Sequence, residues 1–151
     1  MKMKLPEPMS LALAEARAAG ERGEVPVGCV IVDSSGEIVA KAGNRTLEWR
    51  DPTAHAELIA IREAAAGLGS ERLTGCDLYV TLEPCAMCAA AMSFARIRRL
   101  TFGAGDEKMG AVEHGGRFFA QDTCHHRPEV YGGIGEADAG ALLIQFFKNR
   151  R

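Results

Sequence analysis

The sequence predicts a three-layer α/β domain, with a central mixed sheet of about five strands and helices on both faces. Three observations lead there. Val27-Gly28-Cys29-Val30-Ile31-Val32 is almost continuously apolar, as a central strand covered on both sides has to be. Two further strand patterns, Leu78 to Leu82 and Leu100 to Gly103, flank a helical stretch from Ala86 to Ala95, and strand, helix and strand in that order make a parallel crossover unit. With 151 residues and 47% hydrophobic content, the chain suits one domain burying about two-thirds of its unfolded surface.

The elements follow in order. Pro8 opens a helix that runs to about Gly20, with Met9, Leu13 and Ala16 on one face and Glu15, Arg17 and Glu21 on the solvated surface. After the first strand, Asp33-Ser34-Ser35-Gly36 is a turn, and Ile38 to Ala42 returns as the second arm of a hairpin. Gly43-Asn44-Arg45 leads into a loop that ends at Asp51-Pro52. His55 stands near the start of a helix reaching about Gly67, with Leu58, Ile61 and Ala65 as core contacts. Right-handed crossovers make the next two strands parallel neighbours. They also place the helix starts beyond the strands' carboxyl ends, where open α/β sheets hold their sites. Gly105 to Pro128 is a long loop, a kind that tends to carry function. Val130 and Tyr131 suggest a fifth strand. Glu136 to Arg151 reads as a final helix with Leu142, Leu143, Phe146 and Phe147 apolar.

Composition excludes several classes. Net charge is −2, so any affinity for nucleic acid must come from a local basic patch. Five cysteines, an odd number, do not form a disulfide framework, and Cys29, Cys76 and Cys124 read as reduced thiols of a cytosolic protein. The first two are core residues. The start, Met1-Lys2-Met3-Lys4-Leu5-Pro6, is charged, and the apolar run after it is broken by Glu15 and Arg17, so it is neither a signal peptide nor a membrane span.

Chemistry concentrates in Thr53-Ala54-His55-Ala56-Glu57 and Glu83-Pro84-Cys85-Ala86-Met87-Cys88. Pro84 reads as the first turn of a helix, and an i, i+3 spacing then sets Cys85 and Cys88 on one face. A helix N-terminus favours thiolate, the form that binds metal. His55, Cys85 and Cys88 are thus candidate ligands for one zinc ion, whose fourth tetrahedral position stays open to water, as in catalytic rather than structural sites. Zinc lowers the pKa of water from 15.7 to roughly 7. Glu57, two residues from His55, is placed to move the proton. A four-ligand structural zinc would need one more residue, for which Cys124-His125-His126 is the candidate run. Thiolate and imidazole ligands favour zinc over harder ions.

H-x-E followed by P-C-x-x-C is the pattern of the zinc deaminases. Over nearly its whole length the chain resembles the bacterial tRNA adenosine deaminases of the cytidine/deoxycytidylate deaminase superfamily. The resemblance is carried by Val25-Pro26-Val27-Gly28, Gly43-Asn44-Arg45, Asp51 to Glu57, Leu78 to Cys85, Gly103-Ala104-Gly105-Asp106-Glu107-Lys108 and Phe146 to Arg151. It implies a cytidine-deaminase-like fold, one zinc ion per subunit, a cytoplasmic homodimer with its site near the subunit interface, and conversion of adenosine to inosine at the wobble position of a tRNA anticodon stem-loop. A flipped-out base is cheapest to present from such a loop, which is already single-stranded. The resemblance also implies substrate contacts from Val25, Pro26, Asn44, Ala56, Asp106, Lys108, Phe147 and Arg150. The backbone N–H groups of Ala56 and Cys85 are candidates to hold water or substrate.

Several residues carry two readings. Asn44 has the amide chemistry to read a purine edge, and is also an ordinary turn residue after a strand. Glu83 either orients the site through hydrogen bonds or lies on the surface. Phe118-Phe119 is a packing anchor or a stacking platform. Lys148, Arg150 and Arg151 complement the helix dipole or, with Phe147, hold splayed RNA. Arg96, Arg98 and Arg99 form a further basic cluster of unassigned face. Two alternatives to a tRNA deaminase are a free-base or nucleotide deaminase of guanine or cytosine type, and a non-catalytic, zinc-stabilised RNA-binding module.

Overall fold

The computed structural model describes residues 4–150. Arg151, expected to close the last helix, lies outside the described residues, as do Met1 to Met3. The elements are α1 (Glu7–Glu21), β1 (Gly28–Val32), β2 (Ile38–Gly43), α2 (Ala56–Leu68), β3 (Asp77–Leu82), α3 (Ala86–Phe94), β4 (Arg99–Ala104), β5 (Glu129–Tyr131) and α4 (Glu136–Lys148). A single 3-10 turn covers Phe118–Ala120.

The five strands form one mixed sheet in the order β2-β1-β3-β4-β5. β1 is antiparallel to both β2 and β3, while β3, β4 and β5 run parallel. The crossover unit is therefore present, with Leu78 opposite Leu100 and Val80 opposite Phe102.

All five residues of β1 are buried, because each face of that strand has its own helical layer. Cys29 and Ile31 pack with Ala56, Ala60 and Ala64 of α2 and Cys88, Ala89 and Met92 of α3. Val30 and Val32 point the other way, to Met9, Ala12 and Leu13 of α1 and Ala139 of α4. The alternation is the two-residue period of a strand expressed in three dimensions. On α1 the close approach is backbone to backbone. A Cβ on Gly28 would stand 1.9 Å from the Ala12 carbonyl oxygen and 2.6 Å from the Ala16 nitrogen, so only glycine fits there.

On α2, Leu58, Ile61 and Ala65 pack against the core as expected, half-buried on the flank of a fully buried stripe of Ala56, Ala60 and Ala64. Small side chains let the helix sit close to the sheet, and the larger apolar ones then fill the margins. Pro84, expected in the first turn, is outside its helix: α3 starts at Ala86, and extended Cys85 is its N-cap.

The cluster of Arg96, Arg98 and Arg99 is mostly spent on structure. Arg98 pairs with Asp77 at 2.6 Å and Arg99 with Glu129 at 3.0 Å, at the amino-terminal ends of the parallel strands. Among the described residues no helix is long and apolar enough to cross a membrane.

Candidate active site

Two helix starts meet at the carboxyl end of β3. His55 is the N-cap of α2 and Cys85 the N-cap of α3, with Cys88 one turn inside. His55 Nδ1 lies 3.7 Å from Cys85 Sγ and 3.5 Å from Cys88 Sγ, and the three ligand atoms fall within 4.8 Å of one another. Tetrahedral zinc with Zn–N near 2.0 Å and Zn–S near 2.3 Å demands an N···S separation of about 3.6 Å. The donor set therefore fits zinc in both type and spacing.

The electrostatics agree. A hydrogen bond from the Cys88 thiol, helped by His55, brings the Cys85 thiol down to about 4, while donating that bond and being buried push Cys88 upward. Metal binding at such a pair requires the thiolate form and releases protons. His55 is raised by its contact with Cys85.

Cys124, His125 and His126 supply no fourth ligand. Cys124 Sγ sits 3.2 Å from the His126 carbonyl oxygen, and His126 Nε2 is 2.7 Å from that of Ile97. This run ties the long loop to the end of α3. Among the described residues no further His, Cys, Asp or Glu joins the cluster.

Glu57, in the first turn of α2, is 4% exposed. Burial raises its pKa to about 7, with the Cys85 thiolate adding in the same direction. A carboxyl poised there both accepts and returns a proton near neutral pH. A cation at the adjacent ligands would draw the value down.

Two of the ligands, His55 and Cys85, open into a cleft of about 1030 Å³, lined also by Val25, Asn44, Glu57, Asp106, Lys108, Phe147 and Arg150. Most expected contact residues are thus brought together, from four segments of chain. Thr46, Leu82, Met109 and Leu143 also line it, none of them singled out in the sequence.

Two expected residues fall elsewhere. Pro26 borders a separate groove of about 490 Å³ between α1 and α4, while its neighbours Val25 and Val27 line the cleft, as alternate residues of an extended run face opposite sides. The Ala56 N–H, expected to hold water or substrate, donates to Asn44 Oδ1 at 2.8 Å. Asn44 Nδ2 in turn donates to the Val25 carbonyl oxygen at 3.2 Å. These bonds fix the orientation of the amide and leave one Nδ2 hydrogen for the cleft. The Cys85 N–H has no acceptor among the described residues, so it remains available.

Glu83 is not on the surface. Its side chain is fully buried, and its oxygens accept from the N–H groups of Asp106, Val112, Glu113 and His114 at 2.9 to 3.1 Å. His114 Nδ1 adds a contact of 2.6 Å. Burial opposes the charge, but hydrogen bonds from Asp106, His114 and Glu113 outweigh it and bring the carboxyl to about 2. The contact with Glu83 raises His114. One carboxylate thus wraps the loop bearing Asp106 and Lys108 around the residue two before Cys85. Asp106 Oδ1 finishes the turn by accepting from the N–H groups of Lys108 and Met109. Phe118 and Phe119 are packing anchors: their rings meet edge-to-face, with Phe119 in the core and Phe118 packed against it.

A family model described as the cytidine and deoxycytidylate deaminase zinc-binding region matches residues 3–104, a span that includes all three ligands and Glu57. The chain belongs to the cytidine and deoxycytidylate deaminase family. A tRNA-specific adenosine deaminase of Agrobacterium fabrum is 62% identical over 95% of this chain and 93% of its own. A solved structure from work on A-to-I editing by tRNA A34 deaminases superposes with a TM-score of 0.89 at 61% identity, covering 91% of this chain and 99% of that one. A guanine deaminase from Bacillus subtilis is similar at 38% identity and a TM-score of 0.64, over 68% of this chain and 66% of that one. The chain is a zinc-dependent deaminase of this family, and His55, Cys85 and Cys88 are the group that could hold the metal.

Proposed function

We propose that this deaminase converts adenosine to inosine at the wobble position of a tRNA anticodon, with water consumed and ammonia released. What carries the reading is a three-ligand N/S set and a proton-accepting Glu57 opening into one cleft whose rim holds Lys108, Arg150 and Phe147. The 62% identity to a tRNA-specific adenosine deaminase over nearly the whole chain supports the same substrate. Zinc, when bound, supplies the Lewis acidity that makes water a nucleophile near neutral pH.

The protein's own groups do the rest. Glu57 takes the proton of the attacking water and delivers it to the departing amino nitrogen. The free Nδ2 hydrogen of Asn44 faces the purine edge, and the Cys85 N–H is a second fixed donor into the site. Val25 lines the base pocket. Asp106, Lys108, Phe147 and Arg150 receive the anticodon loop, aromatic and basic groups being the pairing that holds splayed single-stranded RNA. The enzyme acts in the cytoplasm as a homodimer.

A free-guanine deaminase is the second reading, favoured by the 38% identity to such an enzyme. Purified protein is incubated with an anticodon stem-loop, with free guanine and with free cytosine. Inosine in the stem-loop, with the free bases untouched, is the expected result. Turnover of a free base with intact RNA would overturn the substrate assignment.

A further inference from the structure

The loop from Asn44 to His55 joins a cleft residue to a metal ligand, and it is built from within. Glu24 is 2% exposed, and its carboxylate accepts from Leu47 N–H at 3.2 Å, Glu48 N–H at 2.9 Å and the Thr46 hydroxyl at 3.3 Å. Arg45 N–H donates to the Ala54 carbonyl oxygen and Asp51 N–H to that of Thr46, each at 3.0 Å. Nearly every turn of the loop is thus closed by a hydrogen bond.

On this frame stands Trp49, 48% exposed and the one tryptophan of the chain. The Arg45 guanidinium lies 5.8 Å from the ring centroid. Two contacts of 2.9 Å to the Glu48 carboxylate hold that guanidinium in place. Thr46, in the same loop, lines the cleft. An indole held open to solvent contributes little to the core. A flat ring fixed on a rigid loop beside a cleft, and backed by a guanidinium, is instead suited to stacking on a nucleobase. Every base offers a π-face, and a preformed platform loses little freedom on binding.

We propose that Trp49 is a stacking platform for the base of a nucleotide next to the target adenosine, with Arg45 backing the ring. The assignment rests on the RNA substrate proposed above. It adds an RNA contact on the loop that carries the cleft residues Asn44 and Thr46.

Because Trp49 is the only tryptophan, its fluorescence reports this position without a label. Zinc-loaded protein carrying Glu57→Gln, which does not consume the RNA, is titrated with an anticodon stem-loop while anisotropy of a dye on the RNA follows binding. The expected result is quenching whose midpoint matches the anisotropy midpoint. An abasic substitution at one of the two flanking nucleotides removes the quenching. Trp49→Ala weakens binding by roughly five- to 150-fold, as loss of one base–aromatic stack does. Trp49→Phe keeps most of the affinity, and zinc content stays the same.

Unchanged fluorescence while anisotropy shows binding overturns the platform, as does equal affinity of Trp49→Ala. A shift in sedimentation coefficient with RNA affinity intact would instead assign Trp49 to a chain–chain contact, and the proposal would be wrong. A protein that neither binds the stem-loop nor makes inosine fails the substrate reading itself and removes both.

Discussion

At the scale of the residue, Glu57 carries the sharpest prediction. Its carboxyl is buried and held near neutrality, whereas the three ligands lie on other side chains. Glu57→Gln should therefore cut single-turnover inosine formation by roughly 10²- to 10⁴-fold, the usual worth of a positioned acid–base group. Zinc per chain, measured by elemental analysis, should stay at the wild-type value. His114 gives a prediction in pH. Its folded pKa is raised by Glu83, so its share of stability is complete below the unfolded value of about 6.5 and lost as pH rises through the folded value. Glu83 has the opposite sense. Lowered to about 2, it contributes fully above its unfolded pKa of about 4.3 and loses that contribution as pH falls toward 2. An NMR titration should find the His114 midpoint above 6.5 in the wild type and lower in Glu83→Gln; a wild-type midpoint at or below 6.5 contradicts the pairing. His55, Glu57, Cys85 and Cys88 were legible in the sequence because their spacing is local and their chemistry specific. Glu83 was only half legible and Glu24 not at all. Most of their partners are backbone N–H groups, 23 to 31 positions away, and a backbone donor leaves no mark on residue identity.

At the scale of the element, the loop after β4 depends on one carboxylate and one glycine. A Cβ on Gly110 would stand 2.5 Å from Glu83 Cδ and 2.4 Å from the Asp106 carbonyl oxygen. Gly110→Ala should cost about 1–3 kcal/mol by overpacking. Glu83→Gln sets an amide against buried N–H donors and should cost about 1–3 kcal/mol as well. Because both break one network, the double variant should lose less than the sum in urea unfolding; strict additivity would mean that the loop is not organised around Glu83. The strands and helices themselves were readable from sequence to within a residue or three, since periodicity and turn residues are written locally. The interior of Gly105 to Pro128 was not readable. Its order comes from Glu83, from the Cys124 and His126 ties to α3, and from Phe119 in the core, all of them long-range. Pro26 borders the other groove for a related reason: a motif gives neighbours in sequence, while the alternation of an extended run decides which groove each side chain borders.

At the scale of the whole molecule, zinc joins the starts of α2 and α3, and hence the layer that covers one face of the sheet. A ligand that binds only the folded chain stabilises it. Chelation should lower Tm and abolish deamination, and added zinc should restore both; full activity after exhaustive chelation would contradict a metal-dependent reaction. The most direct measurement is X-ray absorption at the zinc edge of the purified enzyme. The predicted spectrum shows one zinc per chain with two sulfurs at about 2.3 Å, one imidazole nitrogen and one light atom at about 2.0 Å, the last exchangeable for an added small anion. Three or four sulfurs, a second imidazole or a shell closed to exchange would contradict the account.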